Sequence, residues 1–231
     1  AVQETHDPAD GGLEIEIESE FSPTVGLGSS AAVTVAVVAG LQSLAGDRQS
    51  LETFHTSLRA IHGVQGLGSG TDVAASVWGG MVAYRAAPFE VRPLETVIPI
   101  SLVYSGSKKP TVEVVQIVEA ARAKNPERFL EIFDAMDASV GDAVREVKDG
   151  NLAAVGAIFD RNQQLMRKLG VSNEPLETII DMMKASPDIL GAKISGSGLG
   201  DCVVGLGASD FDPTPFERIP VSMTSEGVQV E

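Results

Sequence analysis

Alternating apolar and acidic residues near the start of the chain predict a β-strand. Residues 13–18 read Leu-Glu-Ile-Glu-Ile-Glu, the period-2 pattern of a half-buried strand with one apolar and one polar face. The polar residues 1–12 before it, with Pro8 among them, are predicted to be a flexible lead-in or a loop. The row of glutamates is either a metal-binding face or a solvated sheet face. Like charges in such a row are usually solvated.

A run of small and β-branched residues at 31–39 predicts a helix. Because the run is apolar on all sides, the helix should be buried within the protein. A glycine-rich turn precedes it. The pattern then predicts a second helix at 48–61, the start of a buried helix at 73–78 and a strand at 81–84. A further strand is predicted within 93–104.

The second half of the chain changes to helical spacing of its apolar residues. Val112, Val115 and Val118 recur at this spacing, and residues 129–136 repeat it. The remaining predicted elements are helices at 151–168 and 175–185, strands at 192–195 and 202–206, and a last strand at 227–230. The sequence therefore predicts an α+β protein with two lobes, 1–104 and 105–231.

Charge and composition exclude several classes of partner. The 231 residues include 17 Lys+Arg and 32 Asp+Glu, a net charge of −15. An acidic surface disfavours nucleic acid and anionic membranes. The single cysteine, Cys202, excludes an internal disulfide and a multi-cysteine metal site. We expect no membrane span, no secretion signal and a cytoplasmic location.

The first glycine-rich segment, 23–32, leads into the predicted buried helix. Its glycines allow a tight backbone turn, and Ser29 and Ser30 fall at the helix N-terminus. Free N–H groups and the helix dipole favour phosphate there, and a hydroxyl at this place is able to bind Mg²⁺. No lysine follows the glycines, so this is not a Walker A loop. A simple serine-capped helix after a turn explains the residues equally well.

Two further glycine-rich segments contain chemically useful groups. In 66–80, Asp72 is the one carboxylate among small and apolar residues. It is either a base that activates an alcohol or the cap of a helix beginning near Val73. In 193–202, three alternate glycines expose N–H groups between two predicted strands, which favours either a phosphate nest or a tight hairpin loop. The three histidines show no metal-ligand spacing.

Together the three segments resemble the three-motif signature of the GHMP kinases. Residues 26–31, Gly-Leu-Gly-Ser-Ser-Ala, are similar to the family's nucleotide loop, and 69–72 with Gly79-Gly80 to the segment of its catalytic aspartate. Residues 193–202 are similar to its third motif. The resemblance implies that Asp72 is catalytic and that Ser30 binds Mg²⁺. It implies ATP contacts from nine residues: Gly26, Leu27, Gly28, Ser29, Ser30, Ala31, Gly196, Ser197 and Gly198.

The resemblance also implies a fold and a reaction. The fold is a two-lobed one, with a ribosomal S5-like N-terminal lobe and a ferredoxin-like α/β C-terminal lobe. The reaction is ATP-dependent phosphorylation of a small-molecule alcohol with Mg²⁺. Residues 104–111, 162–165 and 169–172 are similar to mevalonate kinases, the last two beside the acceptor pocket. They make mevalonate the expected acceptor.

Some residues depart from the mevalonate kinase pattern. Leu58 stands where a Mg²⁺-binding glutamate is expected, and the sequence starts after an N-terminal, lysine-containing motif. Residues 65–70 and the Gly-Asp-Cys ending at 202 are closer to phosphomevalonate kinases. Phosphomevalonate, whose phosphate would need cations, and a non-catalytic nucleotide-binding relative therefore stay open. The cations available are Lys108, Lys109, Lys193 and Arg85. The oligomeric state also stays open, with a homodimer among the alternatives.

Overall fold

The chain forms two compact units in the computed structural model, which describes residues 2–7, 12–19, 28–46, 49–66 and 68–230. The first unit consists of residues 1–93 and 224–231, and the second of residues 94–223. The division thus falls ahead of the predicted position after residue 104. The reason is that the strand Ile100–Tyr104 pairs on both sides within the sheet of the second unit.

The described residues of the first unit form three helices and two antiparallel hairpins. Its helices are α1 (Ser29–Leu44), α2 (Ser50–Gln65) and α3 (Thr71–Trp78). Its strands are β1 (Val2–Asp7), β2 (Gly12–Ile17), β3 (Val82–Arg85) and β4 (Glu90–Pro93). Strand β1 pairs with β2, and β3 pairs with β4. The predicted helices and the strand at 81–84 are confirmed with small shifts of their ends.

The core of the first unit surrounds Phe54 of α2, which is fully buried. Val35 of α1 and Val73 and Val77 of α3 belong to the same buried cluster. The predicted burial of α1 is confirmed only in part, because Ala31, Val35 and Ala39 are buried while the rest of 31–39 is half-buried, and Leu44 at the helix end is 63% exposed. Gly70, which precedes α3, lies against this core, because a Cβ atom there would be 3.3 Å from Cζ of Phe54.

The N-terminal hairpin differs from its prediction in two ways. Residues 2–7 form β1, paired in register from Val2 with Ile17 to Asp7 with Gly12, so the predicted loop over 1–12 is wrong for these residues. The strand at β2 is confirmed, but Leu13, Ile15 and Ile17 are all exposed. The alternation thus identified the strand but did not predict its burial. Backbone pairing with β2 does not depend on apolar side chains in β1.

The C-terminal residues lie against α3, and the predicted strand at 227–230 is wrong. The N–H of Gly80 donates to the carbonyl of Thr224 (2.7 Å), and the N–H of Val228 donates to that of Ser76 (2.8 Å). A Cβ atom on Gly79 would lie 2.2 Å from the backbone carbonyl carbon of Glu226. These hydrogen bonds hold the tail against the end of α3, and residues 227–230 do not form a strand.

The second unit is a four-stranded antiparallel sheet with four helices. Its strands are β5 (Ile100–Tyr104), β6 (Gly191–Ser195), β7 (Cys202–Leu206) and β8 (Glu217–Ile219), in the order β6-β7-β5-β8. Its helices are α4 (Thr111–Lys124), α5 (Pro126–Lys148), α6 (Leu152–Leu169) and α7 (Glu174–Lys184). The α+β class and the predicted helices and strands of this unit are confirmed.

The core of the second unit lies between the sheet and the helices that cover it. Buried side chains of α7 pack against Val103, Ile194 and Val203 of the sheet. Helix α6 and strand β6 lie very close together at two glycines. A Cβ atom added to Gly191 would lie 2.0 Å from the carbonyl oxygen of Gly156. Within the described residues, no helix is both long and apolar enough to span a membrane.

Candidate active site

Among the described residues, no side chain caps the N-terminus of α1, which presents its first backbone N–H groups. Gly28 is the N-cap residue, with φ 70° and ψ 24°, and Ser29, Ser30 and Ala31 form the first turn. The first N–H groups of a helix have no partner within it, and the helix dipole adds positive potential there. The serine-capped alternative is therefore wrong, and the site suits an anion such as phosphate. Gly26 and Leu27 lie outside the described residues.

Asp72 lies in the first turn of α3. The N-cap residue of α3 is Gly70, with φ 84°, and the first N–H group of the helix, that of Thr71, donates to Ser69 Oγ (3.3 Å). Asp72 is two residues beyond this cap, so the alternative in which it caps a helix beginning near Val73 is wrong. A carboxylate in the first turn still interacts favourably with the helix dipole.

The structure brings the start of α1 and Asp72 into contact. A Cβ atom on Gly28 would lie 3.2 Å from both Cβ and Cγ of Asp72 and 3.4 Å from its Oδ2. Glycine at position 28 therefore leaves the space that the carboxylate occupies. It also takes the left-handed backbone conformation without steric cost. The two residues belong to different glycine-rich segments of the sequence, and they meet within the first unit.

Burial raises the pKa of the Asp72 carboxyl above its usual value. The residue nevertheless keeps solvent-exposed surface, since neighbouring protein atoms crowd the carboxylate without covering it. A carboxylate that is partly desolvated and still accessible is a stronger base than a fully hydrated one and remains within reach of a small molecule.

Three side chains that sequence reasoning missed hold the two segments. Gln65 Nε2 donates to Ser30 Oγ (2.8 Å). Tyr84 Oη donates to the carbonyl of Ser69 (2.8 Å), and His62 Nε2 lies 2.9 Å from the carbonyl oxygen of Gly68. Gln65 precedes a glycine-rich segment, which was a weak signal. Nothing in the spacing marks Tyr84, whose hydroxyl reaches the loop only because β3 lies beside it.

The donor groups at this edge fit a Mg²⁺ ion that is bound mainly through a nucleotide. Mg²⁺ prefers oxygen ligands, keeps several waters, and usually takes one or two protein groups together with phosphates. The Ser30 hydroxyl and the Asp72 carboxylate are such oxygens. Leu58 instead packs against the apolar cluster around Phe54. In the described part of the chain, no group of three or more His, Cys, Asp or Glu residues forms a metal cluster.

The second unit holds the third glycine-rich segment as a loop between the paired strands β6 and β7. Gly196 and Gly198 have φ angles of 83° and 90°, and Gly198 lies against the carbonyl of Val171. The loop is fixed by hydrogen bonds from Leu199 N–H to Val171 (2.7 Å) and from Asp201 N–H to Ser107 (2.7 Å). These two N–H groups are thus already paired, so a phosphate nest would use the N–H groups around 196–198.

A buried amide joins the loop to the segments that resemble the acceptor region. Gln163, 1% exposed, accepts a hydrogen bond from Ile194 N–H (3.0 Å). Its Nε2 donates to Ser172 Oγ (3.3 Å) and to Glu177 Oε1 (3.2 Å). Glu177 also pairs with Arg167, whose hydrogen bonds hold the pKa of this carboxyl below its usual value. The network fixes the end of α6, the following turn and β6 as one element.

The cations considered for a phosphorylated acceptor are in different situations. Lys109 pairs with Glu113 at 3.5 Å, and Lys193 Nζ donates to the carbonyl of Ile194 (2.6 Å). Burial lowers the pKa of Lys193 to about 8. Lys108 is exposed beside the glycine-rich loop, and Arg85 lies at the end of β3 in the first unit.

A cavity of about 550 Å³ in the second unit contains none of the predicted site residues. It lies where α4 ends, α5 begins and α6 ends, and its lining includes Lys124, Arg128, Phe129 and Lys168. The predicted site residues lie instead at the starts of α1 and α3 and in the loop between β6 and β7.

Two family models match the chain. The GHMP kinases N terminal domain matches residues 1–80, and the GHMP kinases C terminal domain matches residues 143–218. The chain belongs to the GHMP kinase family.

Curated relatives of the chain are named mevalonate kinase. That of Archaeoglobus fulgidus is 36% identical over 223 residues, covering 95% of this chain and 73% of the relative. That of Aeropyrum pernix is 31% identical over 228 residues, covering 94% and 70%. That of Pyrococcus furiosus is 34% identical over 219 residues, covering 89% and 63%. The chain thus spans about two thirds of the length of these relatives.

Solved structures agree with this family. The mevalonate kinase of L. major, in complex with R-mevalonate, has a TM-score of 0.74 at 28% identity, covering 82% of this chain and 60% of that one. The Streptococcus pneumoniae phosphomevalonate kinase, in complex with phosphomevalonate and AMPPNP, has a TM-score of 0.67 at 18% identity, covering 90% and 73%. At that identity the second likeness concerns the fold alone.

Proposed function

We propose that the protein is an ATP-dependent kinase that phosphorylates a hydroxyl of mevalonate. The observation that carries the proposal is the contact between Asp72 and the uncapped N-terminus of α1. It brings together a candidate base and a helix end that suits phosphate. Phosphoryl transfer to an alcohol requires both. The choice of acceptor is supported by relatives that are named mevalonate kinase and are 31% to 36% identical.

ATP phosphates bind at the glycine-rich loop in this proposal. Residues Gly26 to Ala31 wrap the phosphates, and the N–H groups of the first turn of α1 donate to them. The Ser30 hydroxyl, held by Gln65, ligates Mg²⁺. When bound, Mg²⁺ neutralises charge on the phosphates. The N–H groups at 196–198, in the second unit, are the further phosphate donors that the family resemblance implies.

Asp72 acts on the acceptor. Its raised pKa makes it a better proton acceptor than an ordinary carboxylate, and its exposed surface leaves it reachable. It orients the reacting hydroxyl and takes its proton as the oxygen attacks the transferred phosphoryl group. Positioning and electrostatics provide most of the catalysis in phosphoryl transfer, so small displacements of this carboxylate should be costly.

ADP release measured with two acceptors tests the proposed substrate. We expect kcat/KM for mevalonate to exceed that for phosphomevalonate by at least about tenfold, or about 1.4 kcal/mol in transition-state binding. The protein's net charge of −15 disfavours the more highly charged acceptor. Both acceptors are compared on one preparation, with ATP binding measured in parallel. A tenfold preference for phosphomevalonate would reassign the acceptor, and ATP binding without any ADP release would identify a non-catalytic relative.

Replacing Ser30 by Ala tests the Mg²⁺ assignment. We expect the Mg²⁺ concentration for half-maximal rate to rise severalfold, because one oxygen ligand is lost. The measurement is the initial rate as a function of free Mg²⁺ at saturating ATP. Gln65→Ala removes only the hydrogen bond to Ser30 Oγ, and Ser43→Ala removes a hydroxyl at the other end of α1. An unchanged Mg²⁺ dependence in Ser30→Ala, or an equal change in Ser43→Ala, would show that Ser30 does not bind the ion.

A further inference from the structure

The cavity where α4 ends, α5 begins and α6 ends has no role in the proposed reaction. Its volume of about 550 Å³ lies within the range of roughly 300–1,000 Å³ that small-molecule sites occupy. All of its lining residues belong to the second unit, so the shape of the cavity does not depend on the first unit. A cavity of this size accommodates a small organic molecule.

Three basic side chains line this cavity, and no acidic residue among the described ones does so. They are Lys124 at the end of α4, Arg128 in the first turn of α5 and Lys168 at the end of α6. The whole chain has the opposite balance, with 17 Lys+Arg against 32 Asp+Glu. No salt bridge within the described ranges includes any of the three. The cavity therefore concentrates positive charge on an acidic protein, which favours an anionic ligand.

Helix stability accounts for two of these cations but not for the third. Lys124 and Lys168 lie in last helical turns, where a cation interacts favourably with the helix dipole. Arg128 lies in the first turn of α5, where the dipole disfavours positive charge. Its Nη2 donates to the carbonyl of Lys168 (2.9 Å), which holds the guanidinium between α5 and α6. Because a guanidinium has several N–H donors, this bond leaves others for a ligand.

The rest of the lining is mainly apolar. Phe129 and Leu169 are buried and belong to the core cluster of α4, α5 and α6. Ile117 of α4 also lines the cavity and is 42% exposed, so a bound apolar group would remove it from water. Nothing lies within 4 Å of a Cβ atom added to Gly170, which leaves open space beside Leu169. The cavity thus combines exposed cations with an apolar surface.

We propose that this cavity binds a phosphate monoester that carries a short apolar group. The charge and oxygens of a phosphate suit three cations better than those of a singly charged carboxylate, and both lysine and arginine bind phosphate. An ion without an apolar part would leave Ile117 exposed, and an uncharged ligand would leave the cations without a counter-charge. A free molecule is favoured over a membrane lipid, because anionic membranes repel a protein with a net charge of −15.

Calorimetric titration with three related probes tests the class of ligand. The probes are hexyl phosphate, inorganic phosphate and hexan-1-ol. We expect hexyl phosphate to bind at least about tenfold more tightly than inorganic phosphate, because burial of two methylene groups is worth that factor. It should also bind at least about tenfold more tightly than hexan-1-ol, which forms no charge-assisted hydrogen bonds. No saturable binding of hexyl phosphate, or binding no tighter than that of either other probe, would overturn the proposal.

Two pairs of variants locate the bound probe. Lys168→Ala should weaken hexyl phosphate binding about three- to tenfold, and Lys148→Ala, which also removes a lysine from a last helical turn, should leave it unchanged. Ala120→Phe fills the cavity and should weaken binding at least about tenfold. Ala123→Phe, at an exposed position of the same helix outside the lining, should not. Thermal unfolding midpoints check that all four variants fold. Wild-type affinity in both Lys168→Ala and Ala120→Phe would place the probe elsewhere and overturn the proposal.

Competition separates this site from the proposed kinase site and from a lipid surface. A saturating nonhydrolysable ATP analogue or mevalonate should leave the affinity for hexyl phosphate unchanged, because none of the residues proposed for the reaction lines the cavity. Displacement of the probe by either would assign it to the kinase site and overturn the proposal. In flotation with vesicles of phosphatidylcholine and phosphatidic acid, we expect the protein to stay unbound. Vesicle binding that is lost in Lys168→Ala would identify a membrane lipid as the ligand and overturn the assignment to a free molecule. None of these measurements requires turnover.

Discussion

Replacing Asp72 by Asn should lower kcat by about 10²–10⁴-fold, the usual contribution of a general base. The amide keeps the size of the side chain but does not take the proton of the acceptor hydroxyl. The dissociation constant of ATP should stay within a few-fold of the wild type, since the phosphates bind at the start of α1. The measurements are ADP release at saturating acceptor and ATP binding by calorimetry.

The pH dependence of the rate is a second test of Asp72 as the base. Burial raises the pKa of Asp72, so its carboxylate is protonated at a higher pH than an ordinary aspartate near pH 4. Activity therefore falls as the pH is lowered through this raised pKa, because the base becomes protonated. That acidic limb should be missing from the residual activity of Asp72→Asn. Near-wild-type turnover, or an unchanged acidic limb, would show that another group is the base.

The local elements of the first unit were predictable because glycine and apolar patterning mark them directly. The start of α1 follows from a glycine turn followed by Ser29 and a long apolar run, and the structure begins the helix at that residue. In contrast, β1 has no apolar alternation, and its order comes from backbone pairing with β2. The tail at 227–230 has strand composition, but Gly227 packs its backbone on α3. Both errors arise from tertiary contacts that composition does not encode.

For the candidate site, the sequence marked individual residues but did not predict the contacts between them. The spacing of Asp72 in its segment marks it as a possible base or cap, and only the structure shows that Gly70 is the cap. The contact of Asp72 with Gly28 joins two residues 44 positions apart in the sequence, which no local pattern specifies. Tyr84 and Gln65 lie in ordinary elements and gain their roles by reaching across to loops.

Replacing Gly28 by Val should lower kcat by about 10²-fold, because a displacement of about 1 Å at a reacting group costs that much. A Cβ atom at this position would already lie 3.2 Å from Cβ and Cγ of Asp72, and the branches of valine come closer still. The carboxylate must move away from the start of α1, or the turn must open. The valine also resists the φ of 70° that the helix start requires.

Gly46→Val distinguishes the contact with Asp72 from backbone strain. Gly46 follows the C-terminus of α1 with a φ of 76°, and nothing lies within 4 Å of its Cβ position. Both variants should lose comparable stability, on the order of 1–2 kcal/mol for a branched side chain in the left-handed region. Only Gly28→Val should lose turnover, as measured by ADP release at a temperature well below both unfolding midpoints. Equal loss of turnover in the two variants would mean that strain on α1, and not the position of the Asp72 carboxylate, limits the reaction.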